Sequence, residues 1–328
     1  MSDAYGRAGV SQDDADAAVS RLVAALGGRS ERQLLASGHY ANVVRIDEET
    51  GIALTTDGVG TKLVVAEQLG RWDTVGIDCV AMNVNDVICV GARPVAMVDY
   101  LAVDRADPEV AGAIGEGLAR GARLAGIEIV GGELAQLGEI LSGLDLAGAC
   151  FGVVALDEIV TGVAIQPGDA VIGLPSSGLH SNGYTLARRA LAEIPLEDER
   201  LGRPLGEVLL EPTEIYVRAV LELLDSEVDV RGLAHITSSG LDNLLRLEAE
   251  VGYEVDDPLP APPIFTLIQE LAEISDEEMH NVFNMGCGFC VVVAAADERP
   301  TLELLRKHYP GAQRIGRATE AEGAVRRG

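Results

Sequence analysis

The sequence predicts an α/β protein of two domains, and three observations carry that prediction. Short apolar runs of strand length alternate along the chain with longer stretches at helical spacing. Glycine- and serine-rich turns repeatedly join the end of one run to the start of the next. A polar connector, Gln166-Pro167-Gly168-Asp169, divides 328 residues into two halves, each long enough to bury its own core. The expected domains are residues 1–160 and 168–328.

The elements follow in order. Ala17, Val19, Leu22, Val23 and Leu26 mark a helix from Asp13 that Gly27-Gly28 stops. Ser37 to Asn42 reads as a loop and Val43 to Ile46 as a strand. Glu48 to Gly51 turns the chain into the strand Ile52 to Leu54, and Val59 to Leu69 reads as a helix. Asp73 to Gly91 is a long helix, apolar all round, with Asn83, Asn85 and Asp86 inside it. Strands are expected at Pro94–Val103, Gly126–Val130 and Leu144–Val154, with a helix from Glu109 to Ala125 between the first two. In the second half, strands at Ala170–Leu174, Gly232–Ile236, around Cys290 and near Gly311–Gly316 alternate with helices at Tyr184–Leu191 and Pro212–Leu224.

Composition removes several function classes. A net charge of −27 opposes binding to nucleic acid or to an anionic membrane, both of which need positive surface. The apolar runs break well before 18 residues, so no membrane-spanning helix is expected. The first residues lack a basic start and an apolar core, which points to a cytoplasmic protein. Lys62 and Lys307 are the only lysines among 25 basic residues. A spread acidic surface with little lysine suits a protein of a salt-loving cell, where concentrated ions screen repulsion. Of five cysteines only Cys287 and Cys290 are spaced for a metal, and their apolar surroundings favour small buried side chains.

Two turns carry the chemistry. In Thr55-Thr56-Asp57-Gly58-Val59-Gly60-Thr61-Lys62, Gly58 and Gly60 let backbone N–H groups approach an anion. Lys62 adds a compact charge, and Asp57 can hold the cation that accompanies a phosphate. In Ser176-Ser177-Gly178-Leu179-His180-Ser181-Asn182-Gly183, hydroxyls and N–H groups lead into a helix N-terminus, a second anion-binding arrangement. Asp86, a carboxylate in an apolar helix, and Glu133, at the expected end of a strand, join Asp57 as candidate Mg²⁺ ligands. The dinucleotide fingerprint and the P-loop are both absent, so a nucleotide site here is of another kind.

These stretches, with Ala8-Gly9-Val10, Gly76-Ile77-Asp78, Met82 to Asp86, Val98-Asp99-Tyr100, Gly131-Gly132-Glu133, Asp145 to Gly148, His235-Ile236-Thr237 and Phe283 to Gly286, closely resemble the phosphoribosylformylglycinamidine cyclo-ligases (aminoimidazole ribonucleotide synthetases). The resemblance runs in order over nearly the whole length. It implies an ATP- and Mg²⁺-dependent closure of formylglycinamidine ribonucleotide to aminoimidazole ribonucleotide in purine biosynthesis. It also implies a homodimer whose N-terminal sheets join in a barrel. It places Asp57, Asp86 and Glu133 on Mg²⁺–ATP, with Gly58, Gly60, Thr61, Lys62 and Asn85 on the nucleotide. Ser176 to Gly183 take the substrate phosphate; Lys62 and His180 are the catalytic candidates, His180 as proton carrier or as a structural hydrogen-bonding group. The family's Gly-Gly-Glu continues as Thr-Ala-Glu-Met-Pro, whereas Leu134-Ala135-Gln136-Leu137-Gly138 stands here. The family's glycine-rich segment ahead of the first core strand is only Ser37 to Asn42. Both departures touch the nucleotide side and leave room for a related small-molecule kinase or a non-catalytic nucleotide-binding homologue.

Overall fold

The computed structural model describes residues 12–27, 30–35, 38–321 and 323–327. Ala8-Gly9-Val10, Gly28 and Ser37 lie outside the described residues. Helix α1 (Gln12–Leu26) presents an exposed apolar stripe of Val19, Leu22, Val23 and Leu26.

The first half folds as a five-stranded sheet of β1 (Asn42–Arg45), β2 (Thr50–Gly58), β3 (Arg93–Val103), β4 (Glu128–Gln136) and β5 (Leu144–Ala155), in the order β1-β2-β5-β3-β4. Only β3 and β4 run parallel. Their connection is helix α4 (Pro108–Ala125), the crossover that a parallel pair requires. Asp107 caps α4 by accepting from the N–H groups of Glu109 and Val110, and Pro108 occupies its first turn. Between β2 and β3 lie α2 (Lys62–Leu69) and α3 (Val75–Ile88). Every residue of α3 is buried. One side of α3 packs on β2, β3 and β5; α4 and elements of the second half cover the rest. That double cover explains a helix apolar all round.

The opposite face of this sheet is open. Leu54, Val95, Val98, Tyr100 and Val153 alternate outward and are each at least 38 % exposed. The second half builds a six-stranded sheet from β6 (Ala170–Pro175), β7 (Val230–His235), β8 (Gly252–Val255), β9 (Cys287–Val293), β10 (Gln313–Thr319) and β11 (Val325–Arg327), ordered β11-β8-β10-β6-β9-β7. Every residue of β9 is buried; Cys287 and Cys290 are free thiols within it, serving as small hydrophobes. Helices α5 (Tyr184–Ala190), α6 (Leu205–Leu209), α7 (Val217–Leu224), α8 (Pro263–Ala272), α9 (Asp276–Val282) and α10 (Glu298–Leu305) complete this half. Among the described residues no helix is long and apolar enough to cross a membrane.

Three boundaries differ from expectation. Strand β2 continues through Thr55 to Gly58, so Asp57 belongs to the sheet, paired with Gly148 of β5. Gly131-Gly132-Glu133 lies inside β4 and not at its end, because β3 keeps pairing with it as far as Gln136. The expected helix from Pro212 begins only at Val217, since side chains of α3 take the backbone groups of Thr213, Glu214 and Tyr216.

Candidate active site between the two sheets

Helix α3 carries four polar side chains into the protein: Asp78, Asn83, Asn85 and Asp86. Buried polar groups need partners, and each finds one on a different element. Asn83 fixes the first turn: its Oδ1 accepts from Asp57 N at 3.1 Å, and its Nδ2 donates to Asp57 O at 3.1 Å. A glycine at position 148 lets β5 run close here, because a Cβ there would collide with Met97 and crowd Asn83. The Asp57 carboxylate accepts from Gly58 N at 2.7 Å. Burial first, and then the charge of Asp86, push its pKa up to about 6. The Asp86 carboxylate thus acts on Asp57 as a like charge, and His235 and Arg246 partly oppose the rise. Asp86 Oδ1 meets His235 Nδ1 at 2.9 Å, so a side chain of the second sheet holds it.

Lys62 departs from expectation. Its side chain is fully buried, and Nζ donates to Asp78 Oδ1 at 2.9 Å, His180 O at 3.2 Å and Glu211 O at 2.6 Å. The ammonium faces the second domain and no open cleft, so the expected phosphate contact is not made in this arrangement. Burial pulls its pKa below the usual lysine value, and the Asp78 carboxylate opposes that shift. Asn85, expected on the nucleotide, is likewise occupied: Nδ2 donates to Glu214 O at 2.8 Å and Oδ1 accepts from Tyr216 N at 3.0 Å. Gly58 ends β2, Gly60 takes a left-handed φ of 69° in open space, and Thr61 is exposed, its Oγ1 3.2 Å from Thr185 Oγ1.

The serine-rich loop lies directly beyond that contact. Ser176 Oγ donates to Asn284 Oδ1 at 2.9 Å, and Ser177 Oγ to Pro212 O at 2.6 Å. Asn284 Nδ2 reaches Gly178 O at 2.8 Å, and Ser181 Oγ lies 3.3 Å from Thr213 Oγ1. Gly183 opens α5 with φ 74°, where a Cβ would strike the Phe283 ring. Asn182 Nδ2 is buried without a protein partner. His180, also left-handed at φ 61°, is buried, and its Nε2 accepts from Ser177 N at 3.2 Å. Burial drives its pKa well below 6.5, with His235 and Lys62 adding to the effect. A neutral imidazole that accepts at Nε2 and sits inside the loop fits the structural role better than proton transfer to a ligand.

Glu133 does not join Asp57 and Asp86. Across the sheet Asp57 shares a row with Gly148, Asp99 and Gly132, and Glu133 occupies the next row with Tyr100, Ala147 and Gly58. Adjacent rows face opposite sides, and β4 stands three strand spacings, about 14 Å, from β2. Among the described residues no three His, Cys, Asp or Glu side chains converge as a metal cluster. The expected set of three carboxylates is thus not assembled within one chain. What remains is the pair Asp57 and Asp86.

Several contacts around the two turns have partners that spacing along the sequence does not name. Asp78 pairs with Lys62 from sixteen residues away. Residues 212–216 fall within the expected Pro212–Leu224 helix yet precede α7, and no motif contains Arg246. Arg246 places its guanidinium 4.1 Å from the Tyr40 ring centre and donates to Gly38 O at 2.9 Å, clamping the loop ahead of β1. The motif His235-Ile236-Thr237 was the one available pointer to His235.

The N-terminal domain of the AIR synthase related proteins matches residues 38–154, and their C-terminal domain matches residues 166–327. The chain belongs to the AIR synthase family. A phosphoribosylformylglycinamidine cyclo-ligase of Methanothermobacter thermautotrophicus is 50% identical over 327 residues, 97% of this chain and 96% of that protein. One from Thermococcus kodakarensis is 49% identical over 313 residues, covering 93% of this chain and 92% of its own. AIR synthase family membership also accounts for the fold. The crystal structure of a HypE–HypF complex matches with a TM-score of 0.68 at 20% identity, over 94% of this chain and 95% of that one. The structure of AaThiL complexed with AMPPCP and TMP matches with a TM-score of 0.65 at 17% identity, over 94% and 91%.

Proposed function

We propose that this protein is an ATP-dependent cyclo-ligase acting on formylglycinamidine ribonucleotide in purine biosynthesis. Relatives at 45–50% identity carry that name over nearly their full length. The observation that supports the reading in this chain is the contact between the two turns. Thr61 meets Thr185 at 3.2 Å and Lys62 Nζ meets His180 O at 3.2 Å. A nucleotide on the Asp57–Thr61 side and a sugar phosphate on the Ser177–Gly183 side would therefore be neighbours, as a reaction between two phosphorylated reactants requires.

The chemistry follows from the reactants. The amide oxygen of the formyl group attacks the γ-phosphorus of ATP, and ADP leaves. The amidine nitrogen then attacks the formyl carbon and gives up its proton, and the C–O bond breaks to release phosphate and close the imidazole ring. An amide oxygen is a poor leaving group; phosphate is a good one. N–H groups of the Ser177–Gly183 loop and the start of α5 hold the ribose phosphate, and the Gly58–Thr61 turn approaches the nucleotide. The mutual repulsion of Asp57 and Asp86 fits a cation between them, and Mg²⁺ binds through one or two carboxylates plus substrate phosphates. Bound there, it would neutralise charge on the transferring phosphoryl group.

The reading extends to a cytoplasmic homodimer with an acidic, salt-adapted surface. The open apolar face of the first sheet supports the dimer, since such a face normally marks an interface. The test is direct. Pure protein with ATP, Mg²⁺ and formylglycinamidine ribonucleotide in high salt should yield aminoimidazole ribonucleotide, ADP and phosphate in equal amounts. Asp57→Asn should lower turnover at least about tenfold with the fold intact. ATP binding without turnover by the parent protein would overturn the reading.

A further inference from the structure

Lys62 sits in the most recognisable motif of the chain, yet its ammonium is spent elsewhere. Its three acceptors come from three separate segments: Asp78 in α3, the His180 carbonyl in the serine-rich loop, and the Glu211 carbonyl ahead of α7. One oxygen of the partner carboxylate is equally committed, while Asp78 Oδ2 is buried without a protein partner. Asp78 Oδ1 also accepts from Thr213 N and Thr213 Oγ1, each at 2.7 Å. The segment reached through Asp78 is itself tied to the loop, because Ser177 Oγ donates to Pro212 O and Ser181 Oγ lies 3.3 Å from Thr213 Oγ1. Lys62 and Asp78 are both 0 % exposed, so neither can turn to a ligand without opening the domain boundary. The His180 carbonyl is held by this ammonium while its backbone takes a left-handed φ of 61°, a conformation costly for a residue with a Cβ.

We propose that Lys62 is a positioning residue for the sugar-phosphate loop and not an ATP ligand: with Asp78 it pins residues 177–183 and 211–213 of the second domain to α2 and α3 of the first. The proposal rests on assigning the serine-rich loop to the substrate phosphate. Lysine suits the task because three donors on one compact head can serve three carbonyl or carboxylate oxygens at once. Arginine's planar fork could not meet the same three directions. In a chain whose other basic residues are arginine except Lys307, that requirement explains a lysine here.

The test uses the full chain in high salt, with variants Lys62→Met and Lys62→Met/Asp78→Asn. The double variant removes the unpaired buried carboxylate that could unfold the single one. Hydrogen exchange is followed without ligand, and binding of ribose 5-phosphate and of a non-hydrolysable ATP analogue with Mg²⁺ is measured by calorimetry. In both variants amides of 177–183 and 211–216 should exchange faster, and ribose 5-phosphate affinity should fall about tenfold, while affinity for the ATP analogue stays within about threefold. A tenfold loss of ATP-analogue affinity with the loop still protected overturns the proposal. If the parent chain itself fails to bind ribose 5-phosphate, the loop's assignment fails; unchanged loop exchange in the double variant would then still refute Lys62 as its anchor.

Discussion

His235 Nδ1 meets Asp86 Oδ1 at 2.9 Å, joining the last residue of β7 to a helix that packs under the other sheet. His235 is fully buried, so the contact holds the Asp86 carboxylate in one orientation. Carboxylate and imidazole together form a positioning unit of the kind that tunes ligands of bound cations. His235→Ala should destabilise the protein by about 3 kcal/mol, because it leaves a polar group without its buried partner. His235→Asn, which can still donate a hydrogen bond, should recover part of that loss in urea denaturation. Equal stability of parent and His235→Ala would show the pair to be incidental.

Asp57 makes a pH-dependent prediction. Its pKa of about 6 lies above the ordinary 3.8, so between those values the native state binds more protons than the unfolded chain. Stability from this group is therefore full below about pH 4, falls as pH rises to about 6, and stays low above, by up to about 3 kcal/mol in total. Asp57→Asn should be more stable than the parent at neutral pH and lose that part of the pH dependence. Mg²⁺ should raise the melting temperature of the parent and leave the variant unchanged. A variant that melts below the parent at neutral pH would contradict the buried-charge account.

Gly183 is constrained twice, by φ 74° and by the Phe283 ring that a Cβ would strike. Gly183→Ala should cost about 2 kcal/mol or more and should raise the KM for the ribonucleotide more than that for ATP. Unaltered stability would mean that the entry into α5 can relax.

The exposed face of the first sheet predicts its own disruption. Val98 and Tyr100 are each 43 % exposed and point outward from β3. Tyr100→Glu with Val98→Asp should convert a dimer to a monomer in sedimentation velocity, since buried unpaired carboxylates are costly at an interface. The parent sedimenting as a monomer would remove this assignment.

A charge of −27 spread over the chain repels itself in dilute buffer. The screening length falls from roughly 10 Å at 0.1 M salt to roughly 3 Å at 1 M. The melting temperature should rise by about 5 °C or more across that range. An indifferent melting temperature would reject the salt-adapted surface.

The sequence by itself determined the α/β class, most of the order of elements and the place of two polar, glycine-bearing stretches, but not strands β8 and β11 or helix α6. These are local properties: periodicity places α3 and β5, and Gly60 and Gly183 mark turns that need no knowledge of distant partners. It also singled out the Asn83–Asp86 cluster as out of place in an apolar helix, though not what each member does. Only the tertiary structure decided that Asn83 anchors Asp57, that Asn85 clasps Glu214 and Tyr216, and that Lys62 bonds Asp78 and the His180 carbonyl. It also separated Glu133 from the carboxylate pair, because sheet order and row parity come from strand pairing, which spacing along the chain does not encode. Residue type shows that a buried charge must be compensated; the partner is fixed by what the folded chain carries to within about 3 Å of it.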